Sequence, residues 1–240
     1  MRLAVKTLLF SISLILLLFG LVYSAGHVNR VQNSLIRFVA RRRLSSIHNE
    51  LLDLQQMTVV LCGTGDPVPD RDRAAACTAV FAAGYFFLVD IGPGSARNAG
   101  IFALPMPDLT AVLLTHFHSD HIGDLGEINT QSWLAGRGHP LPVYGPPGVK
   151  QVVDGFASAY RLDAGYRVAT VPVLSPRTWM MEPHTIVIPG SAQQTGATTV
   201  LEGKGLRITA FTVDHAPVTP AYGYRFDYRG RSVVISGDTA

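Results

Sequence analysis

Apolar and polar positions follow three different rhythms along the chain. Between Leu8 and Val22 there is no alternation: the run is apolar except for Ser11, Ser13 and Gly20, and no Asp, Glu, Lys or Arg occurs from Thr7 to Asn29. A bilayer core needs about 20 such residues. Arg2 and Lys6 before the run and Ser24-Ala25-Gly26 after it also fit a secretory signal. Residues 1–27 are therefore expected to form a transmembrane anchor or a cleaved signal. Val28, Val31, Leu35, Phe38 and Val39 then recur at three- and four-residue spacing, with Arg30, Arg37 and Arg41 to Arg43 off that stripe. This is the pattern of an amphipathic helix on an anionic surface, so residues 28–55 are expected to be a helical linker. Membrane contact through the N-terminal helix follows, and with it a membrane-anchored location, or a periplasmic or secreted one if the segment is cleaved.

From Met57 the rhythm shortens to β-type runs broken by Gly and Pro. Strands are predicted at 58–62, 78–81, 85–90, 110–115, 185–189, 206–213, 221–228 and 232–236. Helices are predicted at 95–102, 122–135 and 149–160. Strands interleaved with helices indicate an α/β layered domain over residues 56–240.

Composition narrows the class. With 48% hydrophobic and 15% charged residues, the chain is neither disordered nor a disulfide scaffold. Its formal charge of +3 conceals an asymmetry, because seven basic residues and no acid precede Leu44, while the remainder is formally −4. That balance favours a membrane over nucleic acid as the basic segment's partner. Cys62 and Cys77 flank the loop 63–76 and read as buried free thiols, or as a pair if their strands are neighbours in an oxidising compartment.

The chemistry lies at the end of the apolar run Ala111–Leu114, where His116, His118, Asp120 and His121 fall within six residues. In extended backbone His116 and His118 share a face, and the following turn can bring Asp120 and His121 round to a second ion. Imidazole and carboxylate donors suit zinc, and also manganese or iron. His139 and His184, isolated in Pro-containing stretches, read as surface or pocket-rim residues.

His116-Phe117-His118-Ser119-Asp120-His121 resembles the signature of metallo-β-lactamase-fold hydrolases. Leu61 to Pro69 with Arg71 and Arg73, Val89 to Gly94, Val213-Asp214-His215 with Tyr222 to Phe226, and Ser236 to Thr239 resemble that superfamily's other motifs in order. The stretches 133–137, 140–148 and 220–225 are most similar to the arylsulfatase-like branch, a neighbour of ribonuclease Z. The resemblance implies a four-layer αββα sandwich, here with its second half incomplete, preceded by an N-terminal hydrophobic helix. It implies two divalent metal ions, with His116, His118 and His215 on the first, Asp120 and His121 on the second, and Asp238 on both. Asp90 would support the metal loop, and Asp120 and Asp238 would act in catalysis. A further histidine expected after Asp238 is absent, so the C-terminal part, roughly 60–100 residues from usual domain sizes, is expected to be missing. The implied function is hydrolysis of small-molecule sulfate or phosphate esters through a metal-bridged hydroxide. The alternatives are a ribonuclease Z-type tRNA 3′-processing endonuclease and a non-catalytic, membrane-tethered metal-binding protein. Arg71 and Arg73 read either as anion ligands or as surface ion pairs with Asp70 and Asp72.

Overall fold

The structure, a computed structural model, describes residues 14, 15, 17–20, 23, 24, 49–68, 70–189 and 196–240. The chain divides into two units, Met1–Ile47 and His48–Ala240. In the first, the described residues between 14 and 24 are helical and exposed. Most of the expected anchor, and the linker up to residue 48, lie outside the described residues; Asn49–Leu52 is a 3-10 turn. Among the described residues no helix is long and apolar enough to cross a membrane. The N-terminal hydrophobic helix as an anchor, the membrane partner and the membrane-anchored or periplasmic location expected from it thus find no support among the described residues.

The second unit contains two sheets. The first has six strands in sequential order: β1 (Thr58–Gly63), β2 (Cys77–Ala82), β3 (Tyr85–Val89), β4 (Leu109–Leu113), β5 (Leu141–Gly145) and β6 (Met181–Thr185). β1, β2 and β3 pair antiparallel, and β3 to β6 run parallel. The second sheet is an antiparallel meander of β7 (Ala197–Gly203), β8 (Leu206–Val213), β9 (Ala221–Tyr228) and β10 (Arg231–Ile235).

The central strands of the first sheet are apolar at successive positions because both faces are covered. Ala79, Phe81, Phe86, Leu88 and Val112 face one core, shared with helices α1 (Ser95–Ile101), α3 (Leu125–Ala135) and α4 (Val149–Thr170). Val80, Phe87, Val89, Ala111 and Leu113 face a second core, shared with Leu206, Ile208, Ala210, Tyr224 and Phe226 of the meander. Two-residue periodicity thus sends alternate side chains into two different cores. The outer face of the meander carries ion pairs, Arg207 with Glu202 and Arg225 with Asp227, beside the exposed Val234.

Several boundaries differ from expectation. The helix predicted over 122–135 is two, α2 (Ser119–Ile122) and α3, divided at Gly123-Asp124. α4 runs ten residues further than its pattern suggested. β5 and β6 contain Pro142 and Pro183, which interrupt the alternation by which strands are recognised. The free-thiol reading is corrected: Cys62 and Cys77 form a disulfide with Cα atoms 5.0 Å apart. The register shift between Leu61 and Gly63 leaves Cys62 as the bulged residue beside Cys77, within bridging reach.

Candidate metal centre

β4 ends at Leu113, and the chain continues through Leu114 and Thr115 into the histidine cluster, so the ligands stand at the carboxyl end of a buried parallel strand. Helix α2 then turns Asp120 and His121 back inward, and both are buried. From the other sheet, β8 delivers His215 two residues beyond its end and β10 delivers Asp238 three residues beyond its own.

The four segments converge. His116, His118, His215 and Asp238 each offer a ligand atom, all within 4.8 Å of one another. Asp120, His121 and Asp238 form a second such group, with Asp238 common to both. His118 Nδ1 lies 3.4 Å from His215 Nε2, and His121 Nε2 lies 3.2 Å from Asp238 Oδ1 and 3.5 Å from Asp120 Oδ2. His215 Nε2 stands 3.9 Å from Asp238 Oδ2. Every residue expected at a metal is in one of the two groups, whereas His139 and His184 belong to neither.

The donor set fits cations by a test internal to the structure. His116 Nε2 is buried with no hydrogen-bond partner, an arrangement costing about 1–3 kcal/mol unless another group occupies it. Burial first, then neighbouring His121 and His118, lowers the His116 pKa to about 4, so its imidazole is neutral and its lone pair free near neutrality. For His121, burial acts downward, but the hydrogen bond and charge of Asp90, with Asp238 and Asp120, outweigh it and raise the pKa.

Asp90 organises both imidazoles. Its backbone takes a left-handed conformation (φ 55°), which aspartate tolerates, directly after β3. Its Oδ1 accepts the Thr115 N–H at 2.8 Å, and its Oδ2 accepts both the Thr115 hydroxyl and His121 Nδ1–H at 2.8 Å. The Thr115 hydroxyl, having donated to Asp90, accepts from His116 Nδ1–H at 3.0 Å. This network assigns the tautomers and aims both Nε2 atoms at the ligand groups. Thr115 was not singled out in the sequence; its position directly before the first histidine was the available signal.

Beside the second group is a recess of about 190 Å³, walled by Thr64, Asp66, Asp70 and Arg73 of the β1–β2 loop and by Asp120, His121 and Asp238. Asp70 accepts the backbone N–H groups of Asp72 and Arg73. Among the described residues, no ion pair joins Arg71 or Arg73 to Asp70 or Asp72, so the surface-pair reading does not hold there.

Two facing sheets with this ligand cluster at their common end define a superfamily, and residues 85–240 match the family described as "Beta-lactamase superfamily domain". The chain belongs to that family. It is 40% identical over 185 residues to "Ribonuclease Z" of Mycobacterium avium (strain 104), covering 75% of this chain and 62% of the relative. "Ribonuclease Z" of Mycobacterium marinum is 39% identical over 184 residues, with the same coverage. The chain thus spans just under two thirds of these relatives' length. Among solved structures, the short form of human tRNase Z has a TM-score of 0.60 at 21% identity, covering 76% of this chain and 69% of that one. A long-form RNase Z from yeast has a TM-score of 0.54 at 14% identity, covering 76% and 29%. These two likenesses are of fold.

The relatives overturn the small-molecule sulfate or phosphate ester reading, and with it the argument against a nucleic-acid partner. Net charge is a poor guide to the partner here, because divalent cations held at such a site would be its largest local charges.

Proposed function

We propose that the chain is a ribonuclease Z-type endonuclease that processes the 3′ end of precursor tRNA with divalent cations, zinc first, at the two ligand groups. The observation that carries the proposal is the convergence of two imidazole–carboxylate groups on one shared carboxylate, Asp238, in a chain about 40% identical to ribonucleases Z. Cations held there would make a water acidic enough to ionise near neutral pH and would offset charge developing on a phosphodiester.

The protein residues supply the remainder. His116, His118 and His215 hold one position, Asp120 and His121 the other, and Asp238 spans both. Asp90, through Thr115 and His121, orients the imidazoles. Asp120 accepts the proton of the attacking water as its oxygen bonds to phosphorus and the phosphorus–oxygen bond to the leaving nucleotide breaks. Arg73, on the wall of the recess, contacts a non-bridging phosphate oxygen.

The test is incubation of the zinc-loaded protein with a precursor tRNA carrying a 3′ extension, beside an aryl sulfate and a bis-aryl phosphate. We expect shortening of the RNA, no turnover of the sulfate, and loss of RNA cleavage in Asp238→Ala. Metal binding without RNA cleavage, or undiminished cleavage in Asp238→Ala, would refute the assignment.

A further inference from the structure

The two ligand-bearing halves of the centre come from different sheets, so the spacing between sheets at this end determines whether the ligands meet. β9 lies between β8, which leads to His215, and β10, which leads to Asp238. Tyr224 sits on β9 opposite Ala210 of β8 and Ile235 of β10. Its ring is fully buried between the sheets, and its hydroxyl donates to the Leu114 carbonyl at 2.7 Å. Leu114 is two residues before His116. Two further contacts converge on the same stretch: the Tyr222 N–H donates to the Thr115 carbonyl at 3.0 Å, and Gly237, next to Asp238, approaches Thr115 so closely that a Cβ there would lie 2.8 Å from its side chain. One hydroxyl therefore joins the strand flanked by the second sheet's ligand carriers to the strand end that carries the first sheet's ligands.

We propose that Tyr224 is a positioning residue of the metal centre, its hydroxyl on the Leu114 carbonyl setting how far His215 and Asp238 stand from the His116–His121 cluster. The proposal rests on the reading of these groups as cation ligands. It is separate from the choice of RNA as substrate.

Tyr222 provides an internal control. It is buried on the same strand, but its hydroxyl donates at 3.2 Å to the Ile186 carbonyl, which belongs to the chain beyond β6 and not to the ligand segments. Tyr224→Phe and Tyr222→Phe each remove one buried hydroxyl and no carbon. Zinc affinity is measured by chelator competition, and coordination geometry by the absorption spectrum of the cobalt(II)-loaded protein. Removing a group that orients metal ligands lowers affinity about 10–100-fold. We expect a loss of that size and an altered cobalt spectrum in Tyr224→Phe, with both properties near wild type in Tyr222→Phe. Replacement of Tyr224 by 4-aminophenylalanine, which keeps a donor at that atom, should restore both. In an RNA cleavage assay the Tyr224→Phe defect should fall on kcat with KM little changed.

Equal behaviour of the two phenylalanine variants, or wild-type zinc affinity in Tyr224→Phe, would overturn the proposal. So would a Tyr224→Phe chain that does not fold, since the effect is assigned to the centre and not to the fold as a whole. A wild-type protein that binds no zinc would defeat both this proposal and the metal reading beneath it. One that binds zinc and cleaves no RNA defeats the proposed function alone and leaves the zinc comparison decisive here.

Discussion

A hydroxyl has one proton to donate, and at Thr115 that limit determines a tautomer. Because the proton goes to Asp90 Oδ2, the oxygen can only accept from His116 Nδ1, which leaves His116 Nε2 as the unpartnered lone pair facing the ligand group. Thr115→Val keeps the shape and removes both bonds. We expect zinc affinity to fall about 10–100-fold in chelator competition, with the Asp90 bond to His121 retained. Protons compete with cations for the same nitrogens, so loading also depends on pH. His121, raised by its carboxylate neighbours against the effect of burial, gains its proton above the range of an ordinary histidine; His116, at about 4, does so last. Zinc affinity should therefore decline as pH falls through and somewhat above the usual histidine range, with His121 protonated before His116. Histidine NMR titration of the metal-free protein, giving the order of protonation, checks this.

The β1–β2 loop and the turn after β3 are the elements that hold the recess together. The Cys62–Cys77 disulfide closes the base of the loop that supplies Asp66, Asp70 and Arg73 to the wall. For a closed loop near 15 residues the bridge is worth about 3 kcal/mol. Cys62→Ala with Cys77→Ala should lose about 2–4 kcal/mol in denaturant unfolding. Gly92 is constrained by contact and not by dihedral: a Cβ there would lie 1.8 Å from the Asp120 carbonyl oxygen. The backbones touch because Ile91 N–H donates to the His121 carbonyl at 2.8 Å and Asp124 N–H donates to the Ile91 carbonyl at 2.9 Å. Gly92→Ala must push α2 and its two ligands outward. We expect a loss of about 1–3 kcal/mol, as for overpacking elsewhere, together with weaker zinc binding. Thermal unfolding with and without zinc separates the two effects.

Across the whole molecule, local order along the chain was enough for some features and not for others. The strands 58–63, 77–82, 85–89 and 206–213 and the cluster 116–121 were legible because apolar periodicity and ligand spacing act within a few residues. β5 and β6 were not, since Pro142 and Pro183 break the alternation while neighbouring strands still accept them. The disulfide was not settled either, because it depends on a one-residue bulge between strands. The charge of the globular part, formally −4, misdirected the choice of partner, because a sum over residues carries no information about what sits at the site. The motifs themselves, by residue type and order, marked the superfamily and the six residues that converge as candidate metal ligands. That His215 and Asp238, 99 and 122 residues beyond His116, reach it at all, and that Thr115 and Tyr224 hold the approach, was decided by the packing of one sheet on the other. Such contacts are long-range and depend on register, and no periodicity within either segment encodes them.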